Sequence, residues 1–182
     1  MGGNDTDIDE VGEPDWILET TVLSAFALAG RLDVLRARYG GRGTWTLAVH
    51  DELLRGVREQ PRLGDAATVD WLGEPRAVFD VAQVENLRLR LGGRPRDKRH
   101  LGEATCIVLA RQTGAGILLD DRDAKRMAEV SGIKTGTTIS ILRAAVGDSQ
   151  LSAEEATRLV DDLIDQYGRR LPRLSTEYFR PC

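Results

Sequence analysis

"GILLDDRDAKRMAEV", residues Gly116–Val130, is the stretch on which the reading of the whole chain turns. Gly116–Leu119 is a short apolar run of the kind found in fully buried strands, and a helical pattern begins almost at once after it. Asp120, Asp121 and Asp123 stand at that junction. Carboxylates so placed can cap the free N–H groups of the next helix. They can also be half of a metal site whose other half lies elsewhere in the chain.

The same alternation recurs on either side. "DWIL" (15–18) reads as a buried strand, and Val22, Leu23, Phe26, Leu32 and Leu35 follow it at roughly helical spacing with a break at Gly30. "WTLAV" (45–49) reads as the second strand, and "HDELLRGVRE" (50–59) as a helix with acids in its first turn. Residues 60–82 are punctuated by Pro61, Gly64, Gly73 and Pro75 and show no clear period, although Trp71 and Leu72 belong on the core. Helical patterns run through 81–91, 101–115, 122–132, 138–148 and 152–168, and "IKTGT" (133–137) reads as a further short strand. Ser152 and Glu155 have the spacing of a capping box, while Gly132 and Gly168 stand where helices end. Strands alternating with helices imply right-handed crossovers and a mainly parallel central sheet, hence a three-layer α/β domain. In such sheets ligands bind beyond the carboxyl ends of the strands.

The 182 residues, 41% hydrophobic and 30% charged, suit one folded domain with a core of its own. The expected division is a disordered acidic leader over residues 1–14 and the folded domain over 15–182, including the C-terminal helices. Cys106 and Cys182 offer neither a disulfide framework nor zinc spacing. No apolar run reaches the length of a membrane span and the leader is acidic, so a cytoplasmic protein without membrane contact is expected. The net charge of −4 argues against bulk nucleic-acid binding, yet "RLRLGGRPRDKRH" (88–100) gathers Arg88, Arg90, Arg94, Arg96, Lys98 and Arg99. That run is either a solvated loop or a local phosphate-contacting patch.

Acids fall where a site is expected. Glu19 follows the first strand, Glu52 lies in the helix after the second, and Asp121 and Asp123 follow the third. Glu103 opens the helix that feeds the third strand. Any one of them can be a cap at the positive end of a helix. Together they would repel unless a cation neutralised them, and Mg2+ or Mn2+ suits oxygen ligands. Asp120, beside Asp121 but expected to point away from it, is the weakest candidate. His50 and His100 read as surface or capping residues rather than as acids in catalysis.

"ILETTVLSAFALAGRLDVL", "VHDELLRG", "HLGEATCIVLARQTGAGILLDDRDAKRMAEVSGIKTGT" and "LSAEEATRLVDDLIDQYGRRLP" resemble the PIN-domain proteins, in particular the bacterial branch that includes VapC-like toxins. The resemblance runs from about Trp16 to the C-terminus. It implies a three-layer α/β/α PIN-like domain and a Mg2+- or Mn2+-dependent endoribonuclease that hydrolyses RNA phosphodiester bonds. By it Glu19, Glu52, Glu103, Asp121 and Asp123 are the catalytic acids. Glu19, Glu103, Asp121 and Asp123 hold the metal. Thr20 or Thr21 matches the family's hydroxyl residue after the first acid; these two, with Arg94, Arg96, Arg99 and Arg122, are the expected substrate-binding residues. A small cognate antitoxin and a homodimer are expected on the same ground. The family's first acid is usually Asp, and here it is Glu19.

Two other readings compete. Receiver or haloacid-dehalogenase-like phosphotransfer domains also gather aspartates at strand ends, but they need a nucleophilic Asp where "WILETT" supplies Glu. A catalytically weak PIN-like module could use the same rim to bind RNA or protein. Single-stranded DNA is an alternative substrate to RNA under the enzyme reading.

Overall fold

The computed structural model describes residues 14–95 and 97–180. The expectation of a disordered leader therefore falls outside the described residues, apart from Pro14, which is buried. Arg96 and Cys182 also lie outside them.

Four parallel strands form the central sheet: β1 (Trp16–Leu18), β2 (Gly43–Thr44), β3 (Gly116–Leu118) and β4 (Thr135–Gly136), in the order β2-β1-β3-β4. β1 and β3 form the middle pair, with Trp16, Ile17 and Leu18 facing Gly116, Ile117 and Leu118 in register. Both are continuous apolar runs because helices cover both faces. Ile17, Leu18, Ile117, Leu118 and Leu119 are all buried.

The helices are α1 (Thr20–Leu28), α2 (Leu32–Tyr39), α3 (Leu47–Gly56), α4 (Leu63–Ala67), α5 (Val81–Arg90), α6 (Leu101–Thr113), α7 (Arg122–Val130), α8 (Thr138–Gly147), α9 (Ala153–Asp165) and α10 (Thr176–Phe179). The chain leaves β1 through α1 and α2 toward β2, then returns past β1 to β3 and continues through α7 to β4. Right-handed crossovers in opposite directions place their helices on opposite faces. The packing agrees: α6 lies against β1, β3 and α7, while α1 lies against α2 and α8. The result is a three-layer α/β/α domain. Its topological switch point lies between β1 and β3, and the crevice outside their carboxyl ends is where such folds place ligands.

Two local expectations need correction. The second strand is Gly43–Thr44, two residues before "WTLAV", and α3 already begins at Leu47 with the Thr46 hydroxyl accepting from the Val49 N–H. The threonine cap ended the strand where apolar composition had extended it. Glu52 is consequently in the second turn of α3, and no acid occupies the first. Residues 60–82 contain the short helix α4, and Leu72 is buried with Trp71 packed against the core. The capping box between Ser152 and Glu155 is present at α9, and Gly132 and Gly168 have the positive φ of 76° and 62° expected of residues that end helices.

Candidate active site

The carboxyl ends of β1 and β3 are tied together by one side chain. Glu19, the residue after β1, caps α1: its Oε2 accepts from the Thr21 N–H at 2.8 Å and from the Thr21 hydroxyl. The Thr21 hydroxyl in turn accepts the Asp120 N–H at 2.9 Å. Leu118, the last residue of β3, accepts the Glu19 N–H at 3.0 Å. Glu19 is fixed from both strands and is 1% exposed.

Glu52 and Glu103 reach the same place from helices. Glu52 accepts the Thr20 hydroxyl on one oxygen and the Gly102 N–H, at 2.9 Å, on the other. Gly102 matters through its missing side chain, since a Cβ there would lie 2.5 Å from a Glu52 oxygen. Glu103 stands in the first turn of α6, which runs antiparallel to β3 and so starts at this rim. Its Oε1 meets the His100 Nδ1 at 3.2 Å. His100 precedes α6 in the left-handed region (φ 61°) without a side-chain capping bond; its ring bonds Glu103 instead. His50 packs edge-on against Trp45.

Burial and mutual repulsion govern the electrostatics. Burial, then the nearby Glu103 carboxylate and more weakly Glu52, push the Glu19 carboxyl up to about 8 against the pull of its Thr21 bonds. Burial raises Glu52 as well, with Glu103 adding to it and the Thr20 and Gly102 bonds opposing. Cys106, buried in α6, has its thiol pushed up by burial and by the three glutamates. Glu19, Glu52 and Glu103 therefore form one electrostatic group.

The aspartates after β3 divide their tasks differently from expectation. Asp121 caps α7, its Oδ1 accepting the Ala124 N–H at 2.8 Å. Asp123 is exposed in the first turn of α7. Asp120, read as pointing away, reaches across to the start of α8, accepting the Thr138 N–H at 2.8 Å and its hydroxyl at 2.7 Å. β3 ends at Leu118, so strand alternation no longer governs the direction of Asp120. Among the described residues, no group of three or more His, Cys, Asp or Glu is arranged to hold a metal ion. The expected set Glu19, Glu103, Asp121 and Asp123 is not gathered, because Asp121 serves α7 and Glu103 turns to His100. The donor chemistry still fits a hard divalent cation, since every candidate ligand is an oxygen and no ion pair with Lys or Arg closes on Glu19, Glu52 or Glu103 among the described residues.

Arg169 is the functional side chain that the sequence did not single out. It follows α9 and inserts beneath Thr21, donating to the Thr21 carbonyl and, at 3.0 Å, to the Ser24 hydroxyl. Burial lowers its affinity for its proton, while Asp120 and Glu19 oppose that effect. The Arg88–Arg99 segment is tied to itself. Arg88 is 2% exposed and pairs with Glu85 and Asp97, and Arg99 pairs with Asp97. Arg94 is exposed, and its carbonyl accepts from Arg88. Arg122 is exposed at the start of α7.

A family profile described as a PIN domain matches residues 15–179. The chain belongs to the PIN-domain family. No curated protein and no solved structure matches it. In this PIN domain the acids after β1 and β3 flank the switch point, and the α3 and α6 glutamates complete the rim. No helix among the described residues is long and apolar enough to cross a membrane.

Proposed function

We propose that this PIN-domain protein is a Mg2+- or Mn2+-dependent endoribonuclease, hydrolysing RNA phosphodiester bonds as the toxin of a toxin–antitoxin pair. The observation that carries this reading is the state of Glu19. It is a buried carboxyl raised to about 8 among two other carboxyls at the switch point of the sheet. A protein gains nothing in stability from such repulsion, and perturbed groups of this kind gather at functional sites. To hold the cation, Glu103 and Asp121 would have to turn from His100 and the α7 N-terminus toward Glu19, with Asp123 and Glu52 as outer partners. The metal, when bound, supplies polarisation of a phosphoryl oxygen and a more acidic water.

The test is cleavage of a labelled RNA in Mn2+ by the purified protein. Loss of cleavage on chelation and in Glu103→Gln supports the reading. No cleavage by the parent in any divalent cation would leave the second reading, a PIN-like RNA- or protein-binding module. That alternative is favoured by one specific observation, the use of both Glu19 and Asp121 as helix caps. The toxin role predicts growth arrest on expression, relieved by the product of an adjacent gene.

A further inference from the structure

A cleft of about 980 Å3 opens between α7 and the segment after α9. At its inner end stand Thr21 and Asp120, the two residues that join β1 to β3. Arg122, Lys125 and Arg126 line it from α7, and Arg169 and Arg170 from the facing segment. We propose that this cleft, rather than the Arg94–Arg99 loop, is the track for the sugar–phosphate backbone of a single-stranded RNA leading to the acidic rim. The proposal rests on the ribonuclease reading for its substrate class.

Four acids line the cleft beside its five basic residues. One of them, Asp123, is exposed with no ion pair among the described residues, so the cleft is only slightly basic and the placing of its free guanidiniums matters more than its net charge. Asp120 is held by Thr138 and Asp121 by the α7 N-terminus. Glu129 is engaged by Lys125 and the Thr135 hydroxyl. Arg169 is committed to Thr21 and Ser24. Among the described residues, the side chains of Arg122, Arg126 and Arg170 make no ion pair or hydrogen bond. Three unpaired guanidiniums therefore line one cavity from two elements, whereas the 88–99 segment spends Arg88 and Arg99 on Asp97 and leaves Arg90 and Arg94 without a side-chain partner among the described residues. Guanidinium is the donor best suited to phosphate oxygens. Cations on two elements lining one cleft suit a single strand laid between them.

The experiment is anisotropy of a labelled single-stranded oligoribonucleotide, in EDTA to prevent hydrolysis, from about 50 to 200 mM salt. For R122A/R126A/R170A the log–log salt slope becomes shallower by about 2, since each lost phosphate contact removes about 0.7 on single strands. R122K/R126K/R170K keeps the parent slope, and so does R94A/R99A. An unchanged slope in the alanine triple overturns the proposal, as does equal flattening in the loop pair. Equal affinity for a duplex of the same length overturns the single-strand assignment. Cleavage in Mn2+ is measured separately on the parent. The predicted slopes without cleavage would sink the ribonuclease reading and leave the track standing, while cleavage with unchanged slopes does the reverse.

Discussion

The Asp120 N–H donates to the Thr21 hydroxyl across 2.9 Å, joining the ends of β1 and β3 through a side chain rather than through the sheet ladder. The same hydroxyl donates to Glu19, and the Thr21 carbonyl receives Arg169. Thr21 thus links the first acid, the residues after β3 and the chain after α9. Thr21→Val leaves the part-buried Asp120 N–H without its acceptor and Glu19 with only the backbone N–H of residue 21 as donor, at a cost of about 1–3 kcal/mol. Thr21→Ser keeps both bonds. Urea denaturation giving Thr21→Val the stability of the parent would refute this account.

The raised Glu19 carboxyl makes stability fall with pH. Its folded value, about 8, lies above the ordinary 4.5, so the folded state holds a proton that the unfolded state has released. The contribution is fully present below about 4.5 and is lost as pH rises through about 8. Metal-free protein is therefore expected to melt lower at pH 8 than at pH 6, by about 5 °C or more. Mn2+ reverses the trend if it binds the ionised group. In Glu19→Gln the pH dependence flattens; an equally steep slope there assigns it to another residue.

Gly102→Ala tests the seat of Glu52. The new methyl would collide with a carboxylate held by Thr20 and by the Gly102 N–H itself. Alanine is about 1 kcal/mol better than glycine in a helix, so global stability is expected to change little while RNA cleavage falls at least tenfold. Parent-like cleavage would show that Glu52 need not sit where it does.

How far the sequence carried this reading depends on the kind of contact. β1 and β3 were legible because buried parallel strands are unbroken apolar runs. β2 and β4 have two residues each, too short for any period; β4 was still found within "IKTGT", between two helical patterns, while apolar composition misplaced β2. Glu19, Glu52 and Glu103 were legible as acids near strand or helix ends, and the structure brings them together. The partner of Asp120, Thr138 at the start of the helix after β4, was not legible, since no local pattern marks a contact 18 residues away. Arg169 carried no local signal, since its partner Thr21 is 148 residues away.

Asp121→Asn separates capping from ligation. Asparagine caps as well as aspartate, so the fold and α7 should be unaffected. If the carboxylate joins a metal site, calorimetry will show weaker Mn2+ binding in Asp121→Asn and in Glu103→Gln. Unchanged affinity in both would remove these residues from the site.

Glu19→Asp addresses the departure from the usual family residue. Glu19 is fixed by Thr21 and by Leu118, so a rim adapted to the longer side chain loses by shortening it. Cleavage by Glu19→Asp should be no faster than by the parent, because such sites tolerate only small errors in ligand position. Glu19→Gln should abolish it. A clearly faster Asp variant would mean that the glutamate marks a site drifting toward binding alone.

Both margins of the sheet are two-residue strands, β2 and β4. An incoming strand from another molecule would find almost no ladder to extend, and such blunted margins guard against runaway edge-to-edge assembly. Two copies meeting edge to edge would have almost no described backbone to share.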